Sequence, residues 1–198
     1  MFRLRAISAL LVLLGCLALA AMAEAGEKTP RLPSLFGGPF RLLDEQGRYV
    51  GPEDYAGKFM LVYFGYSYCP DICPTDLAVM AAALDILGEE ATRIQPLLIS
   101  VDPRRDTPEA LRELTAAFHP ALVGLTGTEA EVTAAAKAYR VHRRRFQLEG
   151  MADADYLVDH STLTYLMGPD GGFVTMFPRG TTPERMAEVL RKYLAGAG

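Results

Sequence analysis

FMLVYFGY, residues 59–66, is an unbroken apolar, β-rich run, and SYCPDICP, residues 67–74, follows it with two cysteines four residues apart. Such a run suits a central strand covered on both faces. Beyond it Leu77, Met80, Ala81 and Leu84 keep the i, i+3, i+4, i+7 spacing of a helix, which Gly88 stops. The cysteines therefore sit at a strand-to-helix turn.

Toward the C-terminus, PLLISV (96–101) predicts a second buried strand. Thr107-Pro108 caps a helix whose inner stripe is Leu111, Leu114 and Phe118. Ala121–Leu125 is a short strand, and Thr128-Glu129-Ala130-Glu131 is a capping box before a stripe of Val132, Ala135, Ala136 and Tyr139. Two strand-like runs, Thr162–Met167 and Phe173–Phe177, flank a Pro169-Asp170-Gly171 turn. Thr182-Pro183 opens a last helix with Met186, Val189, Leu190 and Tyr193 inward. Toward the N-terminus, PFRLLDEQGRYV (39–50) reads as a hairpin turning at Glu45-Gln46-Gly47. This order predicts an α/β fold: a mixed, mostly parallel central sheet flanked by helices, with an extra N-terminal β-hairpin. Ligands collect at the carboxyl ends of such strands, which directs attention to Gly65–Tyr68 and Cys69.

The composition agrees. Half of the 198 residues are hydrophobic and 22% are charged, enough for one globular domain with an appendage. A net charge of -4 without a dominant basic stripe excludes nucleic acid as the expected partner. Three cysteines are too few for a disulfide-built scaffold.

Residues 1–25 form the appendage. Arg3 and Arg5 precede an uncharged apolar run from Ala6 to about Ala23, the pattern of an export signal. Three fates stay open: cleavage after Ala21-Met22-Ala23, retention as a membrane anchor, or lipidation at Cys16. Residues 26–38, with Pro and Gly and no periodicity, read as a linker to a domain over 39–196. Export leaves Cys69 and Cys73 as the only thiols, in an oxidising periplasmic compartment.

Residues four apart at a helix start put both sulfurs on one side, and the positive helix end favours thiolate. Thiolates bind soft metals and attack disulfides; a five-residue disulfide loop kept purely for stability constrains little. A metal needs a third donor, and the chain has three histidines. His119 reads as a helix-end cap and His142 lies beside Arg143-Arg144-Arg145, which repels a cation. His160, at the lip of a strand and next to Asp159, is the candidate. Two thiolates and one imidazole suit Cu(I), or Cu(II) with a further oxygen or nitrogen donor, whereas structural zinc usually takes four protein ligands. The run Arg143–Arg145 reads either as a face for an acidic partner or as a guarded strand edge, and Asp102 as a strand-end turn.

GYSYCPDICPTDL (65–77), ISVDPRRDTPE (99–109), AKAYRV (136–141) and YLVDHSTLTYLMGPDGGF (156–173) together resemble the Sco (SenC) family, in the right order, from about Phe36 to Leu194. The resemblance implies a thioredoxin-like copper protein that helps assemble the CuA centre of cytochrome c oxidase. It implies Cys69, Cys73 and His160 as copper ligands and the CuA-bearing oxidase subunit as partner. Other periplasmic copper chaperones or thiol reductases are further expected partners, with membrane contact through residues 6–25. A thiol–disulfide reductase acting on that subunit's cysteine pair is the alternative, with Cys69 attacking and Cys73 resolving. A thiol peroxidase or redox sensor is a third reading.

Overall fold

Seven consecutive residues of β3 (Phe59–Gly65) are buried, so this strand is covered on both faces, as its unbroken apolar run requires. The structure, a computed structural model, describes residues 35–70, 72–150, 152 and 155–196. The apolar N-terminal run, Cys16 and most of the linker lie outside these residues. No helix among the described residues is long and apolar enough to cross a membrane.

Preceding β3, β1 (Leu42–Leu43) and β2 (Tyr49–Val50) form the expected antiparallel hairpin. The Asp44 carboxylate accepts the backbone N–H groups of Gln46 and Arg48 across its turn. After β3 come α1 (Ile72–Leu87), β4 (Ile94–Ser100), α2 (Pro108–Ala116), β5 (Val123–Leu125) and α3 (Glu129–Ala138). A second hairpin, β6 (Arg143–Phe146) with β7 (Leu157–His160), precedes β8 (Thr164–Met167), β9 (Phe173–Phe177) and α4 (Pro183–Gly196).

The central sheet runs β5-β4-β3-β8-β9. It is mixed and mostly parallel, as expected: β3–β4 and β4–β5 pair in parallel, β3–β8 and β8–β9 pair antiparallel, so β8 alone runs against the other four strands. The tight turn at Pro169-Asp170-Gly171 makes β8 and β9 a hairpin, and β8 docks against β3 with its direction reversed. A parallel βαβ half beside a ββα half is the thioredoxin-like arrangement. Pro96 is tolerated in β4 because β5 pairs only with Leu97–Ile99, so the proline's missing N–H falls beyond the end of that ladder.

The helix starts follow their sequence signals. Thr107 Oγ1 accepts from the Ala110 N–H, and Thr128 with Glu131 closes the capping box. In α4 the inward stripe is rotated from the expected one. Met186, Ala187, Leu190 and Leu194 are buried, while Val189 and Tyr193 are only partly so. The domain also begins before residue 39, since the Phe36 ring packs 5.1 Å from Phe173 and 5.8 Å from Tyr165. Gly37 (φ +85°) allows this, as a Cβ there would collide with Met167.

Candidate metal centre

The carboxyl end of β3 delivers the cysteines. Cys69 lies in the turn, half-buried, its N–H donating to the Tyr66 carbonyl at 3.3 Å. Cys73, in the first turn of α1, is 2% exposed and its N–H donates to Cys69 Sγ at 3.4 Å. Neither cysteine is in a disulfide.

His160 arrives from the other end of the chain. The β6–β7 hairpin is fastened to β3 by Tyr66, whose hydroxyl accepts the Val158 N–H at 3.2 Å. The same ring lies edge-on to the His160 imidazole at 5.9 Å, and Tyr63 stands similarly at 6.3 Å. His160 Nδ1 lies 3.0 Å from the Ser161 carbonyl oxygen. A carbonyl can only accept, so Nδ1 carries the proton and the Nε2 lone pair faces Cys73 Sγ at 3.4 Å. The Ser161 carbonyl thus orients the imidazole, and the neighbouring Asp159 carboxylate lies 3.5 Å from His142 instead. Adjacent residues in a strand point to opposite faces, and Asp159 follows that rule.

One donor atom from each of Cys69, Cys73 and His160 lies within 4.8 Å of the others, the one such group among the described residues. Two soft sulfurs and an imidazole, without a carboxylate, fit a soft, low-coordinate ion such as Cu(I). The expected thiolate character does not extend to Cys73. The adjacent Cys69 sulfur, then burial, pushes its thiol well above the ordinary range and outweighs the helix dipole. A cation between the sulfurs would reverse that balance.

Three supporting residues escaped the sequence reading. Asp106 accepts the Ser67 N–H at 3.2 Å and the hydroxyls of Ser67 and Ser100, tying the cysteine turn to the end of β4. Burial raises its pKa, although these donors work against that. Tyr66 is the second, linking the turn to the histidine hairpin. Gly65 is the third: a Cβ there would lie 2.8 Å from the Tyr63 ring and 3.2 Å from Cys73 Sγ. Gly65 and Tyr66 were signalled only by their place at the carboxyl end of the strand, and Asp106 only as a carboxylate shortly after a buried strand.

The other polar candidates are structural. The Asp102 carboxylate, fully buried, is held by Arg105 Nε and by the Tyr156 hydroxyl at 2.7 Å. His119 Nδ1 accepts the Ala121 N–H at 3.1 Å at the end of its helix. Arg143 and Arg145 both pair with Glu129, at 2.7 and 2.6 Å.

The sequence profile of the SCO1/SenC family matches residues 28–195. The chain belongs to the SCO1/SenC family. It is 47% identical to protein SenC of Rhodobacter capsulatus over 80% of this chain and 70% of that one. Against the mitochondrial SCO1 homolog of Homo sapiens it is 44% identical over 81% of this chain, which spans 53% of the human protein. Among solved structures, copper-bound ScoI of Bradyrhizobium japonicum is 40% identical with a TM-score of 0.73, covering 80% of this chain and 99% of that one. Copper-bound yeast Sco1 is 40% identical with a TM-score of 0.74, covering 81% and 88%.

Proposed function

We propose that this SCO1/SenC protein is a copper metallochaperone that delivers copper to the CuA site during cytochrome c oxidase assembly. The observation that carries this is the convergence of Cys69, Cys73 and His160 within 4.8 Å. Relatives of 40% identity with copper bound support it. On this reading the three side chains are the ligands, and copper is cargo. Cys69, the more exposed sulfur, is the ligand an incoming thiol replaces first. Cys73, enclosed beneath it, releases last. His160 stands on a separate hairpin, so its imidazole leaves without unfolding the cysteine turn. The reaction is ligand exchange, which makes the protein a carrier rather than an enzyme.

The N-terminal run fits an exported, periplasmic domain held at the inner membrane through residues 6–25, next to the oxidase. The CuA-bearing subunit is the acceptor, with other periplasmic copper chaperones or thiol reductases upstream. The test mixes Cu(I)-loaded protein with the reduced, metal-free CuA subunit and follows copper in each after separation. Movement of copper to the subunit supports the reading; retention on the chaperone contradicts it.

A thiol–disulfide reductase is the second reading, favoured by the pairing of a half-buried Cys69 with an enclosed Cys73. The protein dithiol would become a disulfide as the subunit's disulfide becomes a dithiol. His160→Ala separates the two, because it spares disulfide reduction and impairs copper carriage.

A further inference from the structure

The cysteine turn borders a stack of aromatic rings and guanidinium groups that the ligand set does not use. Tyr68, immediately before Cys69, is 60% exposed. The Arg105 guanidinium lies 4.6 Å from the centre of that ring and 3.8 Å from the centre of the Tyr156 ring. Its charge is committed to the buried Asp102, so Arg105 holds the two rings in place rather than facing outward as a free cation. Beyond Tyr156 the stack opens into a cleft of about 290 Å³ lined by Arg104, Arg145, Phe146, Gln147 and Tyr156. No carboxylate among the described residues lines it. Arg104 is exposed and makes no ion pair or hydrogen bond among the described residues. In a chain of net charge -4, a cleft of this sign is a local reversal.

We infer that this face, running from Tyr68 across Tyr156 to Arg104, receives a carboxylate-bearing segment of the partner protein that lies close to the partner's own cysteines. The inference rests on the reading of Cys69 and Cys73 as the exchange site and adds the chemistry of what docks beside them. Arg104 supplies the charge that recognises a carboxylate, and the faces of Tyr68, Tyr156 and Phe146 supply apolar area for the chain around it. Opposite charge next to a reacting centre raises the encounter rate, by about 10-fold or more at low salt, and screening removes the gain.

The test needs no copper, so its failure is distinct from failure of the metal assignment. Two synthetic peptides carry one cysteine each as a mixed disulfide with thionitrobenzoate, one flanked by glutamates and one by lysines. Attack by a cysteine thiolate of the reduced, full-length protein forms a protein–peptide disulfide and releases coloured thionitrobenzoate, which reports the rate. The glutamate peptide is expected to react about 10-fold faster at low ionic strength, against the protein's overall charge, with the gap closing at high salt. Arg104→Glu is expected to abolish that preference. Lys192→Glu, the same charge change on exposed α4, is expected to keep it. Equal rates for the two peptides, a faster lysine peptide, or an unchanged preference in Arg104→Glu would overturn the inference.

Discussion

Cys73 Sγ and His160 Nε2 stand 3.4 Å apart although 87 residues separate them in the chain. The first rides on the start of α1 and the second on the end of β7, and the carboxyl end of β3 joins both supports through Tyr66. The site is therefore only as well ordered as the contacts that hold the hairpin to the sheet.

Tyr66→Phe keeps the ring against His160 and removes the acceptor of the buried Val158 N–H. An orphaned donor costs about 1–3 kcal/mol. The variant should show a lower denaturation midpoint and faster hydrogen exchange at Val158, with weaker metal binding as the histidine arm loosens. An unchanged Val158 exchange rate would remove Tyr66 from this role.

Gly65→Ala places a methyl group 3.2 Å from Cys73 Sγ and 2.8 Å from the Tyr63 ring. Overpacking at a closed site costs about 1–3 kcal/mol. Part of the strain should displace the sulfur, so metal affinity falls while the far-ultraviolet circular dichroism stays native. Native affinity in this variant would show that the sulfur position tolerates such a shift.

Asp106 predicts a pH dependence. Burial raises its folded pKa above the unfolded value of about 3.9, so the native state favours the protonated form. Its stabilising contribution is complete below about pH 3.9 and is lost as pH rises through the folded value. Asp106→Asn cannot ionise, so the stability of wild type relative to this variant should decline from pH 3.5 to 7, read as urea midpoints. Asp106→Ala leaves the Ser67 N–H and two hydroxyls without their acceptor and should cost about 2–4 kcal/mol at pH 3.5, where the contribution is complete. A flat difference between wild type and Asp106→Asn across that range would contradict the assignment.

Arg105→Ala strands the buried Asp102 carboxylate, a change that costs about 3–5 kcal/mol. Arg105→Lys restores the charge but not the flat stack between Tyr68 and Tyr156, and should recover only part of the loss. Chemical denaturation of the two variants beside wild type measures both steps, and full recovery by lysine would show that stacking contributes nothing.

The strands and helices that carry the cysteines were legible because their signals are local. The unbroken Phe59–Gly65 run, the spacing from Leu77 to Leu84 and the threonine caps at Thr107 and Thr128 each act within a few residues. The place of β8 beside β3 was not, because it depends on a docking step that no window of sequence contains. The three candidate ligand residues were named from their chemistry and from the family resemblance, but spacing alone could not bring His160 to the cysteines. The roles of Tyr66, Gly65 and Asp106 stayed hidden because each acts through a contact across the fold. Cys73 reversed the helix-dipole expectation for a similar reason: the opposing terms, a second sulfur and near-complete burial, arise only when the turn closes.

The most direct test of the central claim is an anaerobic titration of the fully reduced protein with Cu(I) against a competing chelator, beside Cys69→Ser, Cys73→Ser and His160→Ala. The account predicts one tight equivalent in the wild type, with each substitution weakening it by at least about tenfold, or about 1.4 kcal/mol. Binding no better than the chelator background, or an affinity indifferent to His160, would contradict it and leave the paired thiols to redox chemistry.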